Sequence, residues 1–244
     1  MSLRKKFAKG FRLLSRRSFV GAAARYGVAA AVEHIEAIRL TAPATLLDVG
    51  ANKGQFALAY LALNPAGSVI AFEPLDESAD SFERLFAGHR NVSLNRCALS
   101  DFDGTADFHV TDRADSSSLL TPGAAQQKAF AVVEETVTAV AVRRLDAVLA
   151  SIQLNRPVLM KVDVQGAELS VIEGCADLSS IDFIYVELSF VELYDRQPLF
   201  HDVAARLFER GFELAGVFNQ VSTKTFGPTQ ADFLFRQAGA TRAA

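Results

Sequence analysis

Apolar residues follow two alternating rhythms along this chain, short continuous runs and longer stretches in which they recur every three or four positions. The runs 46–49, 68–72, 92–99, 157–162, 181–186, 212–218 and 232–235 predict strands, because a strand covered on both faces needs apolar residues at every position. Helices are predicted over about 55–63, 78–87, 145–152, 165–174 and 199–210, and an amphipathic one over 26–40 beside the sheet. Asn64-Pro65-Ala66-Gly67 and Gly211 supply stop signals. Between 101 and 142 the rhythm changes. Alternation around Asp103-Gly104 and over Val132–Val142 predicts a hairpin, with Asp115-Ser116-Ser117-Ser118 in a loop over the mouth of the sheet or on open surface. Strand and helix alternate elsewhere, which predicts an α/β fold with a doubly wound, mostly parallel sheet.

The stretch Leu46-Leu47-Asp48-Val49-Gly50-Ala51-Asn52-Lys53-Gly54-Gln55-Phe56 reads as strand, tight turn and helix. Such a turn leaves the helix's first N–H groups facing a crevice. Gly50 and Gly54 suit it, since a residue without Cβ takes positive φ and lets a ligand approach the backbone. Packing alone would also account for two glycines. Glu73-Pro74 closes the second strand, and Glu73 follows Gly50 at close to the roughly 20-residue distance at which a carboxylate reaches ribose hydroxyls. The end of the third strand, Ala98 to Asp101, falls on the same sheet edge, where an adenine would lie.

Asp163 and Glu187 end two successive core strands, so both are expected at the binding edge, with Glu168 either beside them or as an acidic residue in a helix's first turn. An ion pair between Lys161 and Asp163 fits poorly, because Lys161 sits deeper in the strand. His34, His89, His109 and His201 lie outside these motifs and read as surface or packing residues, with His109 nearest the inserted loop. By position, Phe190, Tyr194, Phe218 and the serine loop are candidates for a sugar site.

The 244 residues, half of them apolar, suffice for one α/β domain. A formal charge of −3 and a pI near 5.8 argue against a nucleic-acid partner. Cys97 and Cys175 stand far apart, which suggests neither zinc nor disulfides and makes a cytoplasmic setting the default. No apolar run reaches the roughly 18 residues of a membrane span. The first segment is different: Arg4, Lys5, Lys6, Lys9, Arg12, Arg16, Arg17 and Arg25 precede any acidic residue, with Leu3, Phe7, Phe11 and Leu14 at helical spacing. A helix of that kind rests on an anionic membrane surface or stays solvated. Ser15-Arg16-Arg17-Ser18-Phe19-Val20 also has the form of a twin-arginine signal, but Arg25 interrupts its apolar region. Residues 1–40 are therefore read as a basic helical segment and 41–244 as the α/β domain.

In order along the chain, Asp48 to Gly54, Phe72-Glu73-Pro74, Asn95 with Ala98 to Asp101, Leu145-Asp146, and Lys161-Val162-Asp163-Val164-Gln165-Gly166-Ala167-Glu168 resemble the motifs of the FkbM family of S-adenosylmethionine-dependent methyltransferases. Gln165 departs from the glutamate common there. The resemblance implies a Rossmann-like class I methyltransferase fold, seven strands with one antiparallel, and methyl transfer to a hydroxyl oxygen of a sugar or polyketide. Asp48, Gly50, Asn52 and Gly54 would border the cofactor's methionine and ribose, Glu73 would take the ribose hydroxyls, and Ala98 and Asp101 would flank the adenine. Asp163 would orient or deprotonate the acceptor, with Glu187 and Glu168 shaping the pocket; a divalent ion between Asp163 and Glu187 is the lesser alternative. Length and basic start resemble the branch that 2-O-methylates fucose on lipochitooligosaccharide nodulation signals, a glycolipid acceptor. A nicotinamide dehydrogenase would share the βαβ unit but should show G-x-G-x-x-G, and the spacing here is G-x-x-x-G. The Asn-Pro-Pro-aromatic turn of nitrogen methylation is also missing after the fourth strand, where Asp163-Val164-Gln165-Gly166 stands. A domain that binds cofactor without catalysis is the remaining alternative.

Overall fold

The computed structural model describes residues 17–150 and 152–239. In chain order these form α1 (Arg17–Tyr26), α2 (Ile35–Thr41), β1 (Thr45–Val49), α3 (Gln55–Leu63), β2 (Ser68–Phe72), α4 (Asp76–Leu85), β3 (Val92–Asn95), β4 (Ala98–Leu99) and β5 (Gly104–Thr111). There follow α5 (Ala124–Phe130), β6 (Glu134–Arg143), α6 (Leu145–Leu149), β7 (Val158–Val162), α7 (Glu168–Glu173), β8 (Phe183–Ser189), α8 (Phe200–Glu209), β9 (Phe212–Thr223) and β10 (Gly227–Gln237). The basic start up to Arg16, including the first residues of the twin-arginine pattern, lies outside the described residues.

Seven strands make the central sheet in the order β3-β2-β1-β7-β8-β10-β9. The pairs from β3 to β8 are parallel, and β10 runs against both neighbours, as the resemblance implies. β1 and β7, central and covered on both faces, are buried at all five positions each. Alternate side chains of β1 and β7 feed opposite cores. Leu46 and Leu159 join Phe56, Tyr60 and Phe82 on one face, while Leu47, Val49 and Met160 join Ile172, Val203 and Leu207 on the other. Phe19 of α1, with Val28 and Val32, is buried in the first of these cores. No helix among the described residues is long and apolar enough to cross a membrane.

Three expectations need correction. The helix expected over 26–40 is interrupted: Gly27, at φ +68°, donates its N–H to the carbonyl of Ala23 and ends α1, as a glycine in the left-handed region does. Chain resumes as helix only after a 3₁₀ turn, Val32–His34. The third strand divides as well. Val92–Asn95 stays in the central sheet while Ala98–Leu99 pairs with β6 in a second, three-stranded sheet. Between them Arg96 reaches Asp76, Asp80 and Glu83 at 3.1, 2.6 and 2.8 Å, which holds the chain toward α4. Finally, β8 continues past Val186, so Glu187 lies inside a strand, paired with Asp232 of β10. Between β5 and β6, an antiparallel pair, lies the inserted loop.

Candidate active site

The turn after β1 is built from three residues at positive φ: Gly50 (+74°), Asn52 (+47°) and Gly54 (+88°). A Cβ on Gly50 would lie 2.0 Å from the carbonyl oxygen of Asp163, so β1 and β7 meet too closely there for any side chain. Glu73, buried at the end of β2, clamps the turn. One carboxylate oxygen accepts the Asn52 N–H and the other the Leu75 N–H, both at 2.9 Å. Burial pushes its carboxyl upward in pKa, and those two amides pull against the shift. A carboxylate offers about four acceptor sites, so each oxygen keeps capacity for a hydroxyl donor.

Two clefts open along this edge. The first has Glu73 among its lining residues and Phe72, Ala98, Leu99, Phe108 and Leu119 among its apolar walls. Asp101, expected at the same place as Ala98, is exposed and does not line it. The departure of β4 toward the second sheet carries it outward, where its carbonyl accepts a bond from Arg144 at 2.7 Å. The second, wider cleft is bounded by Gly27 to Ala31, His34, Lys161 and Phe56. Gly50, Asn52, Asp115 and Asp163 line both, so the loop bearing Asp115 arches over the boundary between them.

Beneath that boundary the charges are arranged around Lys161. Its buried ammonium donates to the Gly50 carbonyl at 2.6 Å and stands 3.4 Å from Asp48 and 3.8 Å from Asp163. The expected poor fit of Lys161 to Asp163 is therefore corrected: the stem runs along the strand and brings the charge to its end. Burial alone would lower the lysine's pKa, but Asp163 and Asp48 outweigh it and the net shift is upward. Asp48 is fully buried, and burial raises its carboxyl despite Lys161.

Asp163 and Glu187 are neighbours, as the strand ends predict, and a side chain read only as a departure joins them. Gln165, at φ +56°, donates its amide to Asp163 at 2.7 Å and to Glu187 at 3.1 Å. The Gln165 carbonyl oxygen faces the Tyr194 hydroxyl at 3.0 Å, and Gln126 donates to that hydroxyl at 3.0 Å. Glu187 is raised well above the ordinary carboxylate range by burial first, then by Asp163 and Asp232. Glu168 is buried behind the turn: one oxygen accepts the N–H groups of Gly166 at 2.9 Å and Val164 at 3.3 Å, and burial lifts its pKa to about 7. Neither Glu187 nor Glu168 lines either cleft. Of the residues imagined as an aromatic sugar site, only Tyr194 meets the serine loop, its hydroxyl donating to the Ser116 carbonyl at 2.7 Å. Phe190 packs on Phe200 and Phe233 at one face of the sheet, Phe218 on Tyr185 at the other, and Tyr194 is buried. His109 pairs with Glu134 at 2.6 Å.

The model of the methyltransferase FkbM domain matches residues 48–214, from the carboxylate of β1 into β9. The chain belongs to the FkbM methyltransferase family. The 2-O-methyltransferase NoeI of Sinorhizobium fredii is 32% identical to this chain over 160 residues, covering 62% of this chain and 66% of that protein. Methyltransferase 1 of Beauveria bassiana is 26% identical over 185 residues, covering 70% and 72%. Among solved structures, TehB of Haemophilus influenzae superposes with a TM-score of 0.49 at 12% identity, over 91% of this chain and 67% of that one. The FkbM span holds the Asp48 turn, Glu73, Lys161, Asp163, Gln165 and Glu187, while His34 precedes it and Asn219 and Asp232 follow it.

Proposed function

We propose that this chain transfers a methyl group from S-adenosylmethionine to a hydroxyl oxygen of a sugar in a glycoconjugate, with the fucose 2-hydroxyl of a lipochitooligosaccharide nodulation signal as the first acceptor to try. The observation that carries the reading is one sheet edge bearing both the Glu73–Asn52 clamp and Asp163, the latter on the wall shared by two clefts. The residues fit the cofactor. Glu73 retains acceptor capacity for ribose hydroxyls, the apolar cleft around Phe72, Ala98 and Leu99 suits an adenine, and Gly50 and Asn52 line both clefts beside them. When bound, the cofactor supplies a sulfonium whose methyl is displaced in line by an oxygen. The protein's main task is then alignment, worth roughly 7–11 kcal/mol when near-ideal. Asp163, partly exposed at the boundary and steadied by Gln165 and Lys161, accepts a hydrogen bond from the acceptor hydroxyl and fixes its direction. The relative named as a 2-O-methyltransferase supports transfer to an oxygen.

Calorimetric titration with S-adenosylmethionine and its demethylated product tests the cofactor. Binding is expected in the wild type and lost in Glu73→Ala, whereas no binding by folded wild type would overturn the reading. Release of S-adenosylhomocysteine in the presence of a fucosylated chitooligosaccharide tests the acceptor; Asp163→Asn should lower kcat by about 10²-fold or more while still binding cofactor. In the same reading the basic start rests on an anionic membrane near a glycolipid acceptor, and the reaction is cytoplasmic. Cosedimentation with phosphatidylglycerol vesicles, absent when residues 1–16 are removed, is the expected sign of that contact.

A further inference from the structure

His34, on the wall of the second cleft, is backed by a polar cluster, and the four residues come from four elements. His34 ends the 3₁₀ turn before α2, Tyr185 lies on β8, Asn219 on β9 and Asp232 on β10. The Tyr185 hydroxyl donates to Asp232 Oδ2 at 2.9 Å, and the Asn219 amide donates to the same oxygen at 2.8 Å. His34 Nδ1 stands 3.3 Å from that oxygen and 3.0 Å from the tyrosine oxygen. The single phenolic proton is committed to Asp232, so Tyr185 acts as an acceptor toward the imidazole. The Asn219 amide nitrogen also stands 3.2 Å from Nδ1, but with its two protons given to Asp232 and to the Tyr185 oxygen, 3.3 Å away, the two nearest oxygens call for a proton on His34 Nδ1, which leaves the lone pair on Nε2. The ring is held between Phe56 and Tyr185, centroids 5.3 and 5.5 Å away, with its side chain 21% exposed. It shares the cleft wall with Asp163 and Lys161.

Methylation of a hydroxyl releases a proton. The new O–CH₃ bond forms as the S–CH₃ bond breaks, the electron pair of the broken bond stays on sulfur, and the hydroxyl proton must go to a base. A carboxylate is weak in that role, with an ordinary aspartate pKa of about 3.9 against about 6.5 for imidazole. Asp163 already faces donors on both oxygens, the Gln165 amide and the Lys161 ammonium. Glu187 lies outside both clefts.

We propose that His34 Nε2 is the base that takes the acceptor's proton, with Asp232 fixing the tautomer and stabilising the imidazolium, and Asp163 confined to orienting the hydroxyl. The proposal rests on the methyl-transfer reading. Groups facing the imidazole are Tyr185 and Asp232, behind which Glu187 pairs across the strands, with Glu33 adjacent and Lys161, Asp163 and Asp115 lining the same cleft.

Long-range ¹H–¹⁵N spectra at pH 8 read the tautomer without any acceptor, His34 being assigned by its absence in His34→Gln. A protonated Nδ1 and bare Nε2, redistributed in Asp232→Asn, are expected; a protonated Nε2 would overturn the proposal. With the fucosylated chitooligosaccharide, His34→Gln should lower kcat about 10²- to 10⁴-fold, abolish the acidic limb of the kcat profile and leave S-adenosylhomocysteine affinity unchanged. Asp232→Asn should displace that limb with a smaller loss. An acidic limb that survives in His34→Gln, or cofactor binding lost in it, would overturn the assignment. Absence of turnover by the wild type would instead overturn the choice of acceptor, with the tautomer still deciding the dyad.

Discussion

Glu168 shows how a motif residue acts through the backbone. One of its oxygens holds the Val164 and Gly166 amides, which sets the turn that presents Gln165. Its pKa of about 7 lies above the ordinary value of 4.5, so the folded chain keeps a proton that the unfolded chain releases. Stability due to this group is full below about pH 4.5 and falls as pH rises toward 7, by up to roughly 3 kcal/mol. Glu168→Gln, which retains an oxygen acceptor, should flatten that decline in melting temperatures measured between pH 5 and 8; parallel curves would show that burial of the carboxyl has no such effect. Asp48, Glu73 and Asp163 were legible because an acid ending an apolar run has few structural reasons to be there. Lys161 was misjudged, since spacing along a strand says nothing of the reach of a long side chain. His34 carried no local signal. Its partner Tyr185 lies 151 residues away, and no pattern near position 34 points to it.

At the scale of elements, the turn after β1 depends on Gly50. Substitution to alanine would place a methyl 2.0 Å from a backbone oxygen at a φ of +74°. The strand ends cannot give way cheaply, because Asp163 N–H is bonded to the Val49 carbonyl and Gly50 N–H to that of Phe72. Gly50→Ala is expected to abolish cofactor binding by calorimetry and to lower stability by about 1–3 kcal/mol; unchanged affinity would mean that the turn adapts. The same scale shows where periodicity misleads. Val92 to Leu99 is one apolar-rich stretch in sequence, yet it divides between two sheets on either side of Arg96, which meets three acids of α4. Likewise the pattern over 26–40 conceals the interruption at Gly27, whose free access to positive φ lets it end a helix that apolar spacing alone would continue. Core strands were read correctly because burial on both faces leaves little choice of residue.

For the whole molecule, the sheet divides the interior into two cores, and the helix preceding the expected boundary at residue 40 contributes to one of them. Phe19 is 1% exposed and packs in the core that holds Leu46 and Phe56. Phe19→Ala should cost about 3–5 kcal/mol in denaturant unfolding, in a single transition, if the segment and the sheet are one cooperative unit. A separate early transition would keep them apart. Sheet order was within reach of sequence for the strands joined by helices, since right-handed crossovers constrain them. The placement of β10 between β8 and β9 comes from the long terminal hairpin, whose extent the short apolar runs understate. That hairpin has a further consequence. It supplies Asp232 and Asn219, whereas the Gly50 turn and Glu73 belong to the opposite half of the sheet. In the proposed reading, an event that peels the last strands away would leave the nucleoside's berth intact and strip His34 of Asp232 and Asn219, the groups that hold its tautomer. In that reading occupancy and turnover are separable, and a tightly loaded protein stands idle once the hairpin lifts.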